Sequence, residues 1–579
     1  MTTAARAATG AVDEPLEIRG LLDWMDAPRA GVGIRFADEE DGWRLYEYSE
    51  LAALSAGTAQ QIAAERHRPD GPVVIVTHTS PQFFSAFAGS LMAGNTPSPL
   101  ALNAFVRDRN GYIEYAASIM RAADPALVLV EEGLEDMLTE AVRRAGIAAG
   151  VARIEPTEAR PFVPAPEERA ELALLQFTSG SSGTPRGVRV TWDNLESNIA
   201  MILRWVGVTP SDSIATWLPL YHDMGLVGCL LSPMVHQNDI WVMRPDQFIR
   251  DPLRWIDCFG RRGASITAAP NFGFGYAAKR LREEDLEGMD FSGWRCAILG
   301  AERNDPEVLG RFAARLEPYG FKRETYAPAY GLAEGTLQVS GVPMSSVARV
   351  VKPDWKATGH DGAVVVEDEA RLGELDRIGN GDGWLVSCGP VNAEIDCTVV
   401  DDEQRPVGDG VVGEISLAGP SIADGYHGEA AGPRTTRFEG ERVYTGDAGF
   451  LLDGELYVLG RLGDSLKVRG RQVFVEDLEA RAATFGVQKG KCVILAGDDN
   501  GRNVLAALVE DLPGPWVHRI AGMLQRTGKT ATRVVVIAGE RGAIERTSSG
   551  KPRRRVMWRQ FIDGTLPGTV VHDSAAAKP

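Results

Sequence analysis

The sequence predicts an α/β protein of two bodies: a large N-terminal domain of helix-covered, mostly parallel sheets joined to a small β-barrel, followed by a small α+β C-terminal domain. Three observations carry this. The 579 residues exceed what one hydrophobic core usually supports. Short β-branched runs alternate with helical stretches through the first half, and from about Gly383 that rhythm gives way to closely spaced strands.

In order along the chain, VVIVTH near Val73 is followed by an Ala-rich amphipathic stretch, and ALVLV at Ala126–Val130 by EDMLTEAVRRAG, which is a βαβ pattern. The pattern resumes with SIATWLPL, DIWVM, SITAAPN and CAILGAE, each leading into a segment with helical spacing. Then come LVSCG, AEIDCTVVD, GEISLAG and RVYTGDAGFLLDGELYVLG, read as a small β-barrel or sandwich over about 384–460. The expected boundary divides 1–460 from 461–579, where KCVILAG, VLAALVE and TRVVVIAG supply strands and the final residues fray.

Composition excludes several classes. With 44% hydrophobic and 24% charged residues the chain matches folded globular proteins. The first residues lack the apolar core of a secretory signal, and no later run reaches the roughly 18 apolar residues of a membrane helix, so a cytoplasmic protein without a transmembrane segment is expected. Cys229, Cys258, Cys296, Cys388, Cys397 and Cys492 are scattered with no C-x-x-C pair, which suggests reduced thiols rather than disulfides or zinc. A net charge of -18 argues against a nucleic-acid partner. It is unevenly divided: residues 461–579 hold 20 Lys+Arg and 12 Asp+Glu, a surplus of 8 positive charges, leaving -26 for the rest. Either this only keeps the molecule soluble, or the basic part handles phosphates.

The segment most specific for chemistry is LLQFTSGSSGTPRGVRVTWDNL, Leu174–Leu195: an apolar strand, a Ser/Thr/Gly loop and a basic turn. Its glycines (Gly180, Gly183) let the backbone approach an anion, while hydroxyls of Thr178, Ser179, Ser181, Ser182 and Thr184 can bond phosphate oxygens, with Arg186 behind them. It is not a Walker loop, because no G-K-[ST] follows the glycines.

Here the sequence resembles the superfamily of acyl-CoA synthetases, peptide-synthetase adenylation domains and luciferases, and the resemblance recurs in that superfamily's order over roughly 40–560. YHDMG at Tyr221–Gly225 is similar to the motif that puts an aromatic or His, here His222, between the acyl pocket and the α-phosphate. Gly300, Ala301 and Glu302 resemble the turn along the adenine. In YGLAE, Tyr330 would stack on adenine beside Gly331, and Glu334 would bind the magnesium that holds the polyphosphate. The resemblance makes Asp447 of YTGD the acceptor of the ribose hydroxyls, Arg461 of GRLGDSLKVRG a ribose-binding residue at an interdomain hinge, and Lys551 of TSSGKPRRR the catalytic lysine. Taken singly, a lone His, an Asp after a Gly or a Lys in a basic run is unremarkable; their joint occurrence meets the needs of one reaction. A carboxylate attacking the α-phosphorus of ATP requires cations to offset the repulsion of two anions.

Several details resemble the fatty acyl-AMP ligase branch: YHDMG, YGLAE with Ala333 where many relatives carry Thr, APNFGFGYAAKR at Ala269–Arg280, and the stretch Val342–Gly383 where that branch has an insertion thought to restrict domain movement. This implies a mobile C-terminal domain, ATP and Mg2+ as cofactors, and transfer of an acyl group from acyl-AMP to a phosphopantetheine thiol, on an acyl-carrier protein or on coenzyme A. Arg553, Arg554, Arg555 and Arg559 are candidates to dock that acceptor. Departures are Arg186 where relatives commonly carry Lys, Gly463 in the hinge, and GRQVFVEDLE after it. Trp217, Met224, Cys229, Phe272, Phe274 and Tyr276 are expected to line a pocket for a hydrophobic carboxylic acid, and SITAAPNF offers no Asp for an amino-acid ammonium. A nucleotide-sensing protein that kept the fold but lost catalysis is the competing reading.

Overall fold

The computed structural model describes residues 20–40, 42–102, 109–178, 185–355, 357, 363–378, 383–428, 436–468, 471–488, 490–499, 502–528, 532–546 and 551–575. The largest sheet has eight strands in the order Gln338–Gly341, Tyr326–Gly331, Cys296–Leu299, Ile266–Ala269, Ser213–Thr216, Asp239–Val242, Gly33–Ala37, Trp43–Glu47. Pairing is parallel in its interior and antiparallel at both edges. A second, four-stranded sheet of Thr96–Pro99, Pro72–Val76, Leu127–Val130 and Gly150–Arg153 is parallel throughout. Helices cover these strands on both faces, which is why runs such as LVLV are buried at every position.

Local chemistry sets the helix ends. Ser80 caps the helix Pro81–Met92 by accepting from the Phe83 N–H, with proline at its first position. Thr191 and Asn194 form a reciprocal capping box that turns the strand Arg186–Thr191 into the helix Trp192–Val206, and Gly207 closes it in the left-handed conformation.

The change of pattern near Gly383 corresponds to antiparallel structure. Asp396–Val400, Gly413–Ala418, Arg437–Glu439, Arg442–Leu452 and Glu455–Arg461 form a five-stranded sheet. Against it lies a three-stranded sheet of Val366–Arg371, Arg349–Pro353 and Leu385–Val386, so the stretch 342–383 supplies two of its strands. The two sheets share an apolar core of Val351, Leu385, Phe450, Tyr457 and Leu459. The C-terminal body has a separate core between the helices Val475–Ala483 and Trp516–Gly528 and a sheet of Cys492–Asp499, Arg502–Val509, Arg533–Ala538 and Thr569–Asp573. No helix among the described residues is long and apolar enough to cross a membrane. Five of the six cysteines are buried and all six are unpaired.

Candidate active site

Side chains at the carboxyl ends of the parallel strands open onto one cavity of ≈ 3350 Å3, the position where open α/β sheets bind ligands. That exceeds the roughly 300–1,000 Å3 of an ordinary small-molecule pocket, leaving room for more than one substrate.

Its polar wall is a set of linked pairs drawn from distant parts of the chain. The Tyr330 hydroxyl donates to Asp447 Oδ2 at 2.6 Å, and the other carboxylate oxygen meets Arg461 Nε at 2.8 Å. Arg461 also donates from Nη1 to Thr436 Oγ1 at 3.1 Å and to the Thr445 carbonyl at 2.9 Å. Burial, reinforced by the Asp447 carboxylate, pushes the Tyr330 phenol well above its usual range, so it stays protonated and donates to Asp447. Gly331 is required by close packing, because a Cβ there would lie 2.0 Å from the Leu337 carbonyl oxygen.

A second linked set surrounds Glu334, which is 5% exposed. Its Oε1 accepts from the Tyr426 hydroxyl, and the Arg186 guanidinium lies 4.1 Å from the centroid of the Tyr426 ring while donating to the Thr436 carbonyl at 3.0 Å. Thr178 and Arg186 pair across the two strands that enter and leave the Ser/Thr/Gly loop, and Thr178 Oγ1 is buried with no hydrogen-bond partner among the described residues. Ser179, Gly180, Ser181, Ser182, Gly183 and Thr184 lie outside the described residues.

Between the two walls stands the loop that follows strand Ser213–Thr216. His222 Nδ1 is 2.6 Å from Asp223 Oδ1. Burial pushes the Asp223 carboxyl up, but the His222 imidazole, the Met224 N–H and Lys551 together hold it below the usual range. Opposite lies the turn Gly300–Glu302, in which Ala301 has φ +68°, a conformation that costs a residue with a Cβ and is tolerated where the surroundings fix it. Glu302 Oε1 accepts from the Phe272 N–H at 2.7 Å. Lys551 reaches this cavity from the C-terminal body. Enclosure by protein and the nearby Arg461 lower its pKa, opposed by Asp223, Asp447 and Glu302. Lys551 is exposed and lines the cavity.

The apolar wall is aromatic. Trp217 stacks on Phe248 with centroids 4.1 Å apart and receives the edge of Phe272 at 5.5 Å. Gly273 permits this, since a Cβ would sit 2.6 Å from Trp217 Cζ2. Trp217, Met224 and Phe272 line the cavity with Ile249, whereas Cys229, Phe274 and Tyr276 do not. Phe274 turns into the core against Trp255, Phe312 and Tyr326; Cys229 is buried in the helix Met224–Leu231; Tyr276 donates to the Ile249 carbonyl at 2.5 Å. Phe272 and Ile249 are 43% and 46% exposed, apolar surface left bare on the cavity wall.

Sequence reasoning did not single out Tyr426, Thr436, Phe248 or the Arg303–Asp477 ion pair. An aromatic in ADGYHG carries no signal of its own, and the ion pair joins residues 174 apart. Among the described residues no three His, Cys, Asp or Glu side chains converge as a metal cage.

Comparison with known proteins decides the family. A model described as AMP-binding enzyme matches residues 28–427. The chain belongs to the AMP-binding enzyme family. It is 31% identical over 529 residues to a putative acyl-CoA synthetase of Caulobacter vibrioides, covering 90% of each chain. To the medium-chain-fatty-acid–[acyl-carrier-protein] ligase JamA of Moorena producens it is 34% identical over 414 residues, 68% of each. Among solved structures, one from a study of fatty acyl-adenylate ligases of E. coli and L. pneumophila superposes with a TM-score of 0.80 at 26% identity, covering 95% of this chain and 98% of that one. The L. pneumophila ligase in complex with acyl adenylate and pyrophosphate gives 0.67 at 25% identity, over 96% and 97%. The fold class expected from the sequence, and the reading of an acyl-adenylate-forming ligase, both hold.

Proposed function

We propose that this protein activates a hydrophobic carboxylic acid, fatty or natural-product in type, with ATP to give acyl-AMP and pyrophosphate, and then passes the acyl group to the phosphopantetheine thiol of an acyl-carrier protein. The observation that carries this is the convergence of Lys551, Asp447, Arg461, Tyr330 and Glu334 with the bare aromatic wall of Trp217 and Phe272 in one cavity.

The acid's tail lies against Trp217, Phe272 and Ile249, which excludes water from the reacting end. Its carboxylate comes to the loop of His222, facing the α-phosphate. Lys551 offsets the repulsion between the two anions and stabilises the crowded phosphorus as the new C–O–P bond forms and pyrophosphate departs. Asp447, oriented by Arg461 and Tyr330, accepts the ribose hydroxyls, and the turn Gly300–Glu302 lies along the base. Glu334 suits Mg2+, which is commonly held by one or two carboxylates plus substrate phosphates, and its buried carboxylate, already oriented by Tyr426, lines the same cavity as Thr178. When bound, the metal neutralises polyphosphate charge.

For the second step the thiol sulfur attacks the acyl carbonyl and AMP leaves. Of the four arginines considered for docking the acceptor, Arg554 is tied to Glu476 and Glu479, and Arg553 to Glu545, which leaves Arg555 and Arg559 for the surface role. Coenzyme A as acceptor is the second reading, favoured by the likeness to the C. vibrioides protein. The test is ATP-dependent pyrophosphate release across a panel of apolar acids, run with no thiol, with coenzyme A and with a phosphopantetheinylated carrier protein. Carrier loading without acyl-CoA supports the proposal; efficient acyl-CoA formation replaces the acceptor; no adenylation of any acid sinks the reading.

A further inference from the structure

One ion pair connects the two bodies directly beside the site. Arg303 Nη1 contacts Asp477 Oδ1, while Nη2 reaches the Trp384 carbonyl at 3.5 Å. Arg303 follows Glu302 and lies two residues from the left-handed Ala301, so it belongs to the turn assigned to the nucleotide base. Asp477 is in the first turn of the helix Val475–Ala483. That same helix holds the segment of Lys551: Arg554 Nη2 meets Glu479 Oε2 at 2.8 Å, and its Nη1 meets Glu476 Oε1 at 3.4 Å. Glu479 Oε1 also accepts from the Ile494 N–H at 2.8 Å, fixing the helix to its own sheet. Phe474, just before the helix, packs with Val351, Leu385 and Leu459 of the β-unit, a second contact between the two bodies, and the Arg303–Asp477 pair itself is half-buried. Burial disfavours the Arg303 charge, and the carboxylates of Asp477, Glu476 and Asp305 more than offset it.

We propose that Arg303 is a positioning residue for acyl-AMP formation: by gripping Asp477 it docks the helix Val475–Ala483 on the nucleotide turn, and through Glu476, Glu479 and Arg554 that helix sets where Lys551 stands in the cavity. The inference rests on the adenylation reading. A pair with one member on each body holds only one relative placement of the two, so it stabilises the pose with Lys551 in the site and has to separate for any other. Because Arg303 and Ala301 share a turn, nucleotide binding and docking of the C-terminal body act on one element.

The experiment compares the wild type with R303D, D477R and R303D/D477R in the full chain. Each single charge reversal is expected to lower kcat for acyl-AMP formation about tenfold or more, with KM for the acid within about twofold, since the aromatic wall is untouched. The double variant is expected to recover most of that loss, a rescue that general destabilisation does not give. Hydrogen exchange of residues 475–483 and 301–305 reports docking without turnover: protection falls in both singles and returns in the double. Wild-type kcat in the singles, or a double no better than the worse single, overturns the proposal. A wild type that forms no acyl-AMP overturns the functional reading instead, while the exchange pattern still decides whether this pair docks the helix.

Discussion

The two walls of the cavity are built by different physics. On the polar side, Tyr330, Asp447 and Arg461 come from three separate strands and are joined by directional, charge-assisted bonds of 2.6–2.8 Å. On the apolar side, Trp217, Phe248 and Phe272 are held by stacking, edge contacts and the absence of a side chain at Gly273. A polar wall tolerates few residue types, because an unpaired buried donor or carboxylate is costly; an aromatic wall accepts many substitutions of similar volume. A change of charge or hydrogen-bonding group on the first wall should therefore act mainly on the chemistry, most cleanly where the substitution keeps the shape and leaves no partner orphaned, and removing a ring from the second should change stability and choice of acid together.

The largest effect expected is at Lys551. Lys551→Ala removes a cation placed in the cavity beside Asp223 and Glu302, and kcat for pyrophosphate release should drop about 10²–10³-fold, roughly 2.7–4 kcal/mol, with the unfolding midpoint not lowered. A variant retaining near-wild-type turnover would end the role assigned to that lysine. Next is Asp447→Asn, which keeps the shape but weakens the bonds to Arg461 and to ribose; kcat/KM for ATP should fall by about ten- to a hundredfold, the loss of roughly 1.5–3 kcal/mol. An effect confined to KM for the acid would place Asp447 on the wrong wall.

Trp217→Ala probes the other wall. Loss of a ring stacked on Phe248 should cost about 3 kcal/mol of stability, seen as a lower unfolding midpoint, and should shift preference toward bulkier acids by about tenfold. An unchanged acid profile would remove Trp217 from the pocket.

The same contrast governs what could be read in advance. The βαβ rhythm and the antiparallel stretch after Gly383 were legible because burial on both faces or on one writes itself into hydrophobic spacing. Glu334, Asp447, Arg461 and Lys551 were singled out because the motifs around them resemble, in order, those of the adenylate-forming superfamily, and all four line one cavity. In the helix Asn271–Arg280, by contrast, Phe272 lines the cavity while Phe274 enters the core; both are plain aromatics on a short helix, and only the packing of Trp255 and Phe312 separates them. Tyr426 and Asp477 depend on partners 92 and 174 residues away, a distance over which a single sequence carries no spacing signal.

The smallest effect is also the one whose two readouts should move in opposite directions. Enclosure and Arg461 lower the Lys551 pKa below the ordinary lysine value, so between that lowered value and the ordinary one the folded protein binds fewer protons than the unfolded chain. Stability contributed by this group therefore rises as pH climbs through the window, because the cost of enclosing a charge is relieved. Adenylation needs the charge, so kcat should fall over the same window. Lys551→Arg, whose guanidinium stays protonated, should retain part of the activity and lose that alkaline decline. A wild-type kcat that is flat from neutral pH to pH 10 would mean that the charge of Lys551 does not stand at the reacting phosphorus, and would move the burden of charge neutralisation to Arg461 and to the Mg2+ proposed for Glu334.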